Sequence, residues 1–141
     1  MTFFIGPVIA AAQLAATLVA ADDAPGPCVI HLYATTQPAP GAPAGADPLA
    51  SVVLAKPCAT LAGNVLTLNP ADAQGAMVLS TGIPRWGRWE RSDGALVADG
   101  TVTDPSNGGD FQVVGAATAE GDTSPTLYAG GMVMLGATSL T

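Results

Sequence analysis

The stretch Ile83 to Thr103, IPRWGRWERSDGALVADGTVT, constrains the fold of this chain more than any other. Two strand-like runs flank Ser92-Asp93-Gly94. Asp-Gly between apolar or aromatic runs is the strongest short-range hairpin signal, because Gly accepts φ > 0 without steric penalty. A second Asp-Gly, Asp99-Gly100, predicts a bulge that twists the second strand. The ribbon holds both tryptophans, Trp86 and Trp89, in a chain with only two Tyr and three Phe. Such an aromatic load anchors either the core or an interface.

The same grammar of short runs between turn residues extends along the chain. Strand-type segments are expected at Cys28–Ala34 (CVIHLYA), Leu49–Leu54 (LASVVL), Asn64–Leu68 (NVLTL), Ala76–Ser80 (AMVLS) and Phe111–Val114, with a last strand in Leu127–Thr141 broken at Gly130-Gly131. Lys56-Pro57 is expected to close the second of these, since proline has no N–H for a ladder. Residues 35–48, TTQPAPGAPAGADP, offer almost no side chain for a core and read as an exposed, partly extended connection. Many short strands separated by Gly, Pro, Asn and Asp predict an all-β sandwich or barrel. The expected fold is a jelly-roll-like β-sandwich of about eight strands with a short N-terminal helix.

That helix begins at Pro7, which suits a first turn because its missing N–H is no loss there. VIAAAQLAATLVAA is rich in the best helix formers. Asp22-Asp23 oppose the helix dipole and Pro25-Gly26-Pro27 stops the helix. A helix this apolar on all sides is expected to be buried on several sides, under the β domain or against another subunit. The run lacks the basic n-region of a signal peptide and the flanking anchors of a membrane span, which argues against export or insertion. The 141 residues suit one domain, with 1–24 as an apolar arm and 28–141 as the sandwich.

Charge is sparse. Asp, Glu, Lys and Arg make up 11% of the chain, against 49% hydrophobic residues, and the net charge is −7. So poorly charged a surface is either polar through Thr, Ser, Asn and backbone or largely covered by partners. Four basic residues in all do not make a phosphate-binding or anionic-membrane surface, so neither nucleic acid nor membrane is an expected partner.

Little in the sequence points to catalysis. No G-x-S-x-G, P-loop or dinucleotide fingerprint occurs, and no catalytic residue or cofactor is expected. His31 is the only histidine, with no partner motif beside it. Most of the acids fall in turns, where Asp caps its own backbone. Asp104–Asp110 is the one place for a loosely held cation, but no calcium-loop pattern accompanies it, and no metal is expected. Cys28 and Cys58 match no zinc or redox spacing. They form a disulfide if their strands are neighbours; as two small buried hydrophobes they need no such bond.

The concentrated polar feature is Arg85, Arg88 and Arg91 on the tryptophan ribbon. Strand alternation puts Arg85 and Arg91 with Trp89, and Arg88 with Trp86 and Glu90. Either the arginine stems cover the rings and pair with acids, or the set is a docking site, since Trp and Arg are the types enriched at interface hot spots. Arg85, Trp86, Arg88, Trp89 and Arg91, with Phe3, Phe4 and Ile5 of the apolar arm, are the interface candidates. On the docking reading, Trp89→Ala weakens partner binding more than it weakens folding.

Several pieces occur in a familiar order: IHLYATTQPA (30–39), LASVVLA (49–55), Trp86-Gly87-Arg88, Ser92-Asp93-Gly94 and VADGTV (97–102). In this order, over nearly the full length, the chain resembles the capsid cement, or head decoration, proteins of tailed phages. The resemblance implies a jelly-roll subunit without catalytic activity on the outer surface of the head. Its partners would be the major capsid protein and its own copies, as a dimer or trimer. It would also give the apolar arm a place between subunits.

Overall fold

The structure, a computed structural model, describes residues 5–136 and 138–140. It consists of one helix, α1 (Pro7–Ala21), and nine strands: β1 (Val29–Tyr33), β2 (Ala50–Ala62), β3 (Val65–Pro70), β4 (Ala76–Met77), β5 (Trp86–Glu90), β6 (Leu96–Thr103), β7 (Phe111–Val114), β8 (Met132–Leu135) and β9 (Ser139–Leu140). The all-β class with a single N-terminal helix is the one the residue pattern indicates. The strand order, which local pattern does not encode, is β4-β8-β7-β6-β5-β1-β2-β3-β9.

This sheet is mixed and curled. Its pairs are antiparallel except β6 with β7, which run parallel over Val102↔Phe111 and Thr103↔Gln112. Although β2 lies far from β4 and β8 in the order, it packs against both. The C-terminal segment closes the curl. Gly136 N–H donates to Gln112 of β7 at 2.6 Å, and Leu68 N–H of β3 donates to Thr138 at 3.0 Å. The inward residues therefore meet in one core that includes Ile30, Leu32, Val52, Leu66, Trp89 and Phe111.

The hairpin forms where Asp-Gly predicts it. Gly94 has φ 86°, and Asp93 accepts the Ala95 N–H at 3.1 Å. The bulge is displaced from the expected site: the register shifts between Trp89 and Glu90, while Gly100 pairs regularly with Gly87. These two glycines serve close packing instead. A Cβ on Gly100 would lie 2.7 Å from the Asp110 Cβ, and one on Gly87 would lie 3.1 Å from the Phe111 ring. Bare backbone at this cross-strand pair lets β7 and its phenylalanine lie down on the ribbon.

Lys56-Pro57 does not end β2. The strand runs on to Ala62, with a register shift against β3 between Leu54 and Ala59. Pro57 falls within that irregular stretch, where a missing N–H interrupts no ladder. The helix has the expected bounds but not the expected burial. Only Leu14 and Ala21 are buried, and the rest of α1 is half-buried or exposed.

Candidate interaction surfaces

Strand β5 turns its two tryptophans to opposite sides of the sheet. Trp89 points into the core, opposite Ile30 on β1 and Ala98 on β6, and is 2% exposed. It borders a cavity of about 170 Å3 shared with Leu68, Ala98, Phe111, Asp99 and Asp110. Trp86 faces the other way and is 0% exposed, stacked on Tyr33 with ring centroids 4.5 Å apart. Its Nε1–H donates to Thr35 Oγ1 at 3.1 Å, so the Pro/Ala/Gly connection contributes a polar partner to that ring.

Arg88 lies over the Trp86 ring, 5.2 Å from its centroid. Its Nε and Nη2 donate to the two Asp99 oxygens at 2.7 and 2.9 Å, and Nη2 also donates to the Ala42 carbonyl at 2.6 Å. The fork of a guanidinium matches a carboxylate bidentately, which is why this pair tolerates burial. Hydrogen bonding to Asp99 holds the Arg88 pKa above its ordinary value. Burial, and then the Glu90 carboxylate, push the Tyr33 phenol up.

The surfaces of Trp86, Arg88 and Trp89 are thus covered by packing within the chain. Arg85 and Arg91 do lie at the surface, but each is paired. Arg85 donates to both oxygens of Asp122 at 2.6 and 3.1 Å, which lowers the Asp122 carboxyl to about 2. Arg91 donates to Asp93 at 2.8 Å and to the Ala20 carbonyl in the last turn of α1 at 3.1 Å. Of the arm candidates, Ile5 is exposed, and Phe3 and Phe4 lie outside the described residues.

Among the described residues, the outer face of α1 is an apolar surface left open for a partner. At 100° per residue, Val8, Ile9, Ala12, Ala16 and Val19 fall on the side opposite Leu14. All five are apolar, with Val8 81% and Val19 70% exposed. A second apolar area lies on the sheet. Met77 pairs with Met132 and Val114 with Met134, and all four side chains are exposed on one face, as alternation along β8 requires. Methionine-rich surface of this kind adapts to many partner shapes. No described helix is long and apolar enough to cross a membrane.

The structure gives His31 partners that sequence reasoning missed. Ser51, directly opposite on β2, lies 2.7 Å from Nδ1, and Glu90 lies 3.5 Å from Nε2. Serine, imidazole and carboxylate in a row have the composition of a nucleophile, a base and an orienting acid. Here they are neighbours along the sheet. The cavity of about 220 Å3 that Ser51 borders is lined by Val52, Val53, Ala71, Asp72, Gly75 and Ala76, and by neither His31 nor Glu90. That cavity does not bring the three groups together around a substrate.

The acids of the Asp104–Asp110 loop are internally satisfied. Asp104 accepts from Ser106 N–H at 3.0 Å, Asn107 Nδ2 at 2.7 Å and Thr118 Oγ1 at 2.6 Å. Asp110 accepts from the Thr101 N–H and hydroxyl. These are turn-forming contacts. Cys28 and Cys58 are free thiols and fully buried, and Asp22 lies beside them. Burial above all pushes the Cys58 thiol up.

Comparison of the chain with protein-family models, with curated proteins and with solved structures finds no match in any of the three.

Proposed function

We propose that this chain is a structural virion protein of the cement or decoration type. In this reading it binds the outside of a tailed-phage head, bridges neighbouring major capsid protein subunits and carries no catalytic activity. The observation that carries the reading is the outward face of α1, a continuous apolar stripe on a chain of which only 11% is charged. The methionine face on β4, β8 and β7 adds a second unpartnered area, as a subunit that touches both its own copies and a shell would require. The basic residues support it by their unavailability. Arg85, Arg88 and Arg91 are held by carboxylates, and Lys56 by the Ala24 carbonyl, so no cationic track is left for phosphates.

The mechanism is interfacial. Each exposed Val or Ile removed from water contributes roughly 1.5–3 kcal/mol, before the ordering and docking costs that reduce it. Contacts repeated around a closed shell add by avidity, so weak single interfaces suffice to oppose outward pressure from packaged DNA. The resemblance of the motif order to that of cement proteins supports this reading, and copy number separates it from a tail or fibre part.

The test is the protein content of purified, DNA-filled heads. The intact chain is expected to co-sediment with them at a copy number near that of the major capsid protein. Absence from heads, or a few copies confined to tails, overturns the proposal.

A further inference from the structure

Three elements meet where α1 gives way to the sheet. Asp22 is the C-cap of α1, Cys28 stands immediately before β1, and Cys58 lies in the irregular stretch of β2. One Asp22 carboxylate oxygen, the Cys28 Sγ and the Cys58 Sγ all lie within 4.8 Å of one another. A tetrahedral ion with metal–sulfur bonds of about 2.3 Å and metal–oxygen bonds of about 2.0 Å sets such atoms roughly 3.5–3.8 Å apart. The 4.8 Å limit on the existing triangle stands roughly 1 Å above that spacing.

The electrostatics of Asp22 also call for a cation. Its carboxylate sits at the negative end of the helix dipole, where an anion is disfavoured. Its hydrogen bonds come from Cys58, whose backbone N–H lies 3.2 and 3.1 Å from the two oxygens and whose thiol also bonds the carboxylate. None of the four ion pairs among the described residues includes it. Lys56, two residues from Cys58, spends its ammonium on the Ala24 and Pro25 carbonyls instead. A half-buried carboxylate facing two buried sulfurs is a donor set that a positive ion completes.

We propose that Asp22, Cys28 and Cys58 bind one thiophilic divalent cation of the zinc class. Two sulfur donors select such an ion over magnesium or calcium, which prefer oxygen. The fourth position falls to water or to the Ala21 carbonyl, on which the Cys28 thiol already rests at 3.1 Å. Binding forms two metal–sulfur bonds and two metal–oxygen bonds, one to Asp22 and one to the fourth ligand, and each thiol releases its proton to solvent. The ion joins the end of α1 to β1 and β2, and so holds in place the helix that carries the exposed apolar face. Asp22 is half-buried and gives the ion its way in.

The experiment is a titration of the reduced full-length chain with Co2+. Thiolate-to-cobalt absorption in the near ultraviolet, with the visible bands of a tetrahedral ion, is expected to saturate at one equivalent and to vanish when Zn2+ is added. Zn2+, and not Mg2+, is expected to raise the thermal midpoint. Asp22→Asn is expected to weaken binding by about tenfold or more, the scale on which even outer-shell contacts act. Cys28→Ser and Cys58→Ser should each diminish the ultraviolet band. The wild-type titration decides by itself if a variant fails to fold. No thiolate band at one equivalent overturns the proposal, as does a band that survives loss of both cysteines. So does a Cys28–Cys58 disulfide in protein purified without oxidant.

Discussion

Helix α1 and strand β5 exchange the roles that their residues suggest. β5 carries tryptophan and arginine, the types that dominate binding hot spots, yet Trp86 is 0%, Arg88 7% and Trp89 2% exposed. α1 carries the alanine, valine and isoleucine of a core helix, yet it rests on the sheet by a narrow side around Leu14 and Ala21 and turns the rest outward. The difference lies in how many sides each element has covered. A central strand has neighbours along both edges, here β1 and β6, and layers over both faces. An N-terminal helix on the outside of a curled sheet has one supporting face, whatever its composition. Hot-spot chemistry therefore marks an interface only where the fold leaves it unpacked.

The sharpest way to break this contrast is Trp89→Ala. Removing the ring from the core is expected to lower unfolding free energy by about 3–5 kcal/mol, seen as an earlier denaturant midpoint. If head binding falls while the midpoint stays in place, Trp89 is a docking residue after all and the comparison fails.

Arg88→Ala is expected to come next in size. It leaves the Asp99 carboxylate buried without its cation, and loss of one partner of a buried pair costs about 3–5 kcal/mol at most sites. The double change Arg88→Met with Asp99→Leu should recover much of that loss, because it removes both charges together. Urea unfolding of the three chains tests this. A double variant no better than Arg88→Ala would mean that the guanidinium's packing over Trp86, and not its charge, is what counts.

Charging the outer face of α1 should have the smallest effect on the isolated chain. Val8→Glu near the helix start and Val19→Lys near its end both suit the dipole, so each is expected to move stability by no more than about 0.5 kcal/mol. The same changes are expected to abolish assembly on heads and association between copies. Unchanged occupancy of both variants on particles would remove α1 from the interface and leave the methionine face as its remaining candidate.

Local rules read well wherever a residue's own backbone chemistry decides the outcome. Pro7 opens α1, Asp22 caps it, and Asp93-Gly94 turns the hairpin. β7 spans the residues that its alternation marks out. They fail where a distant segment decides. Gly100 reads as a bulge until Phe111 and Asp110 arrive from β7 to use the space. Pro57 reads as a stop until β3 pairs beyond it. The meeting of Asp22 with Cys28 and Cys58 has no signature in spacing, because a sheet register and a helix end bring them together.

By itself, then, the sequence determined the class of elements, the places where they start and turn, and a surface poor in charge. Those properties follow from φ preferences, helix propensity and side-chain alternation, all of which act within a few residues. Only the tertiary structure decided the order of strands and the burial of the tryptophan ribbon. It also decided which side of α1 faces solvent, because exposure depends on what other parts of the chain cover.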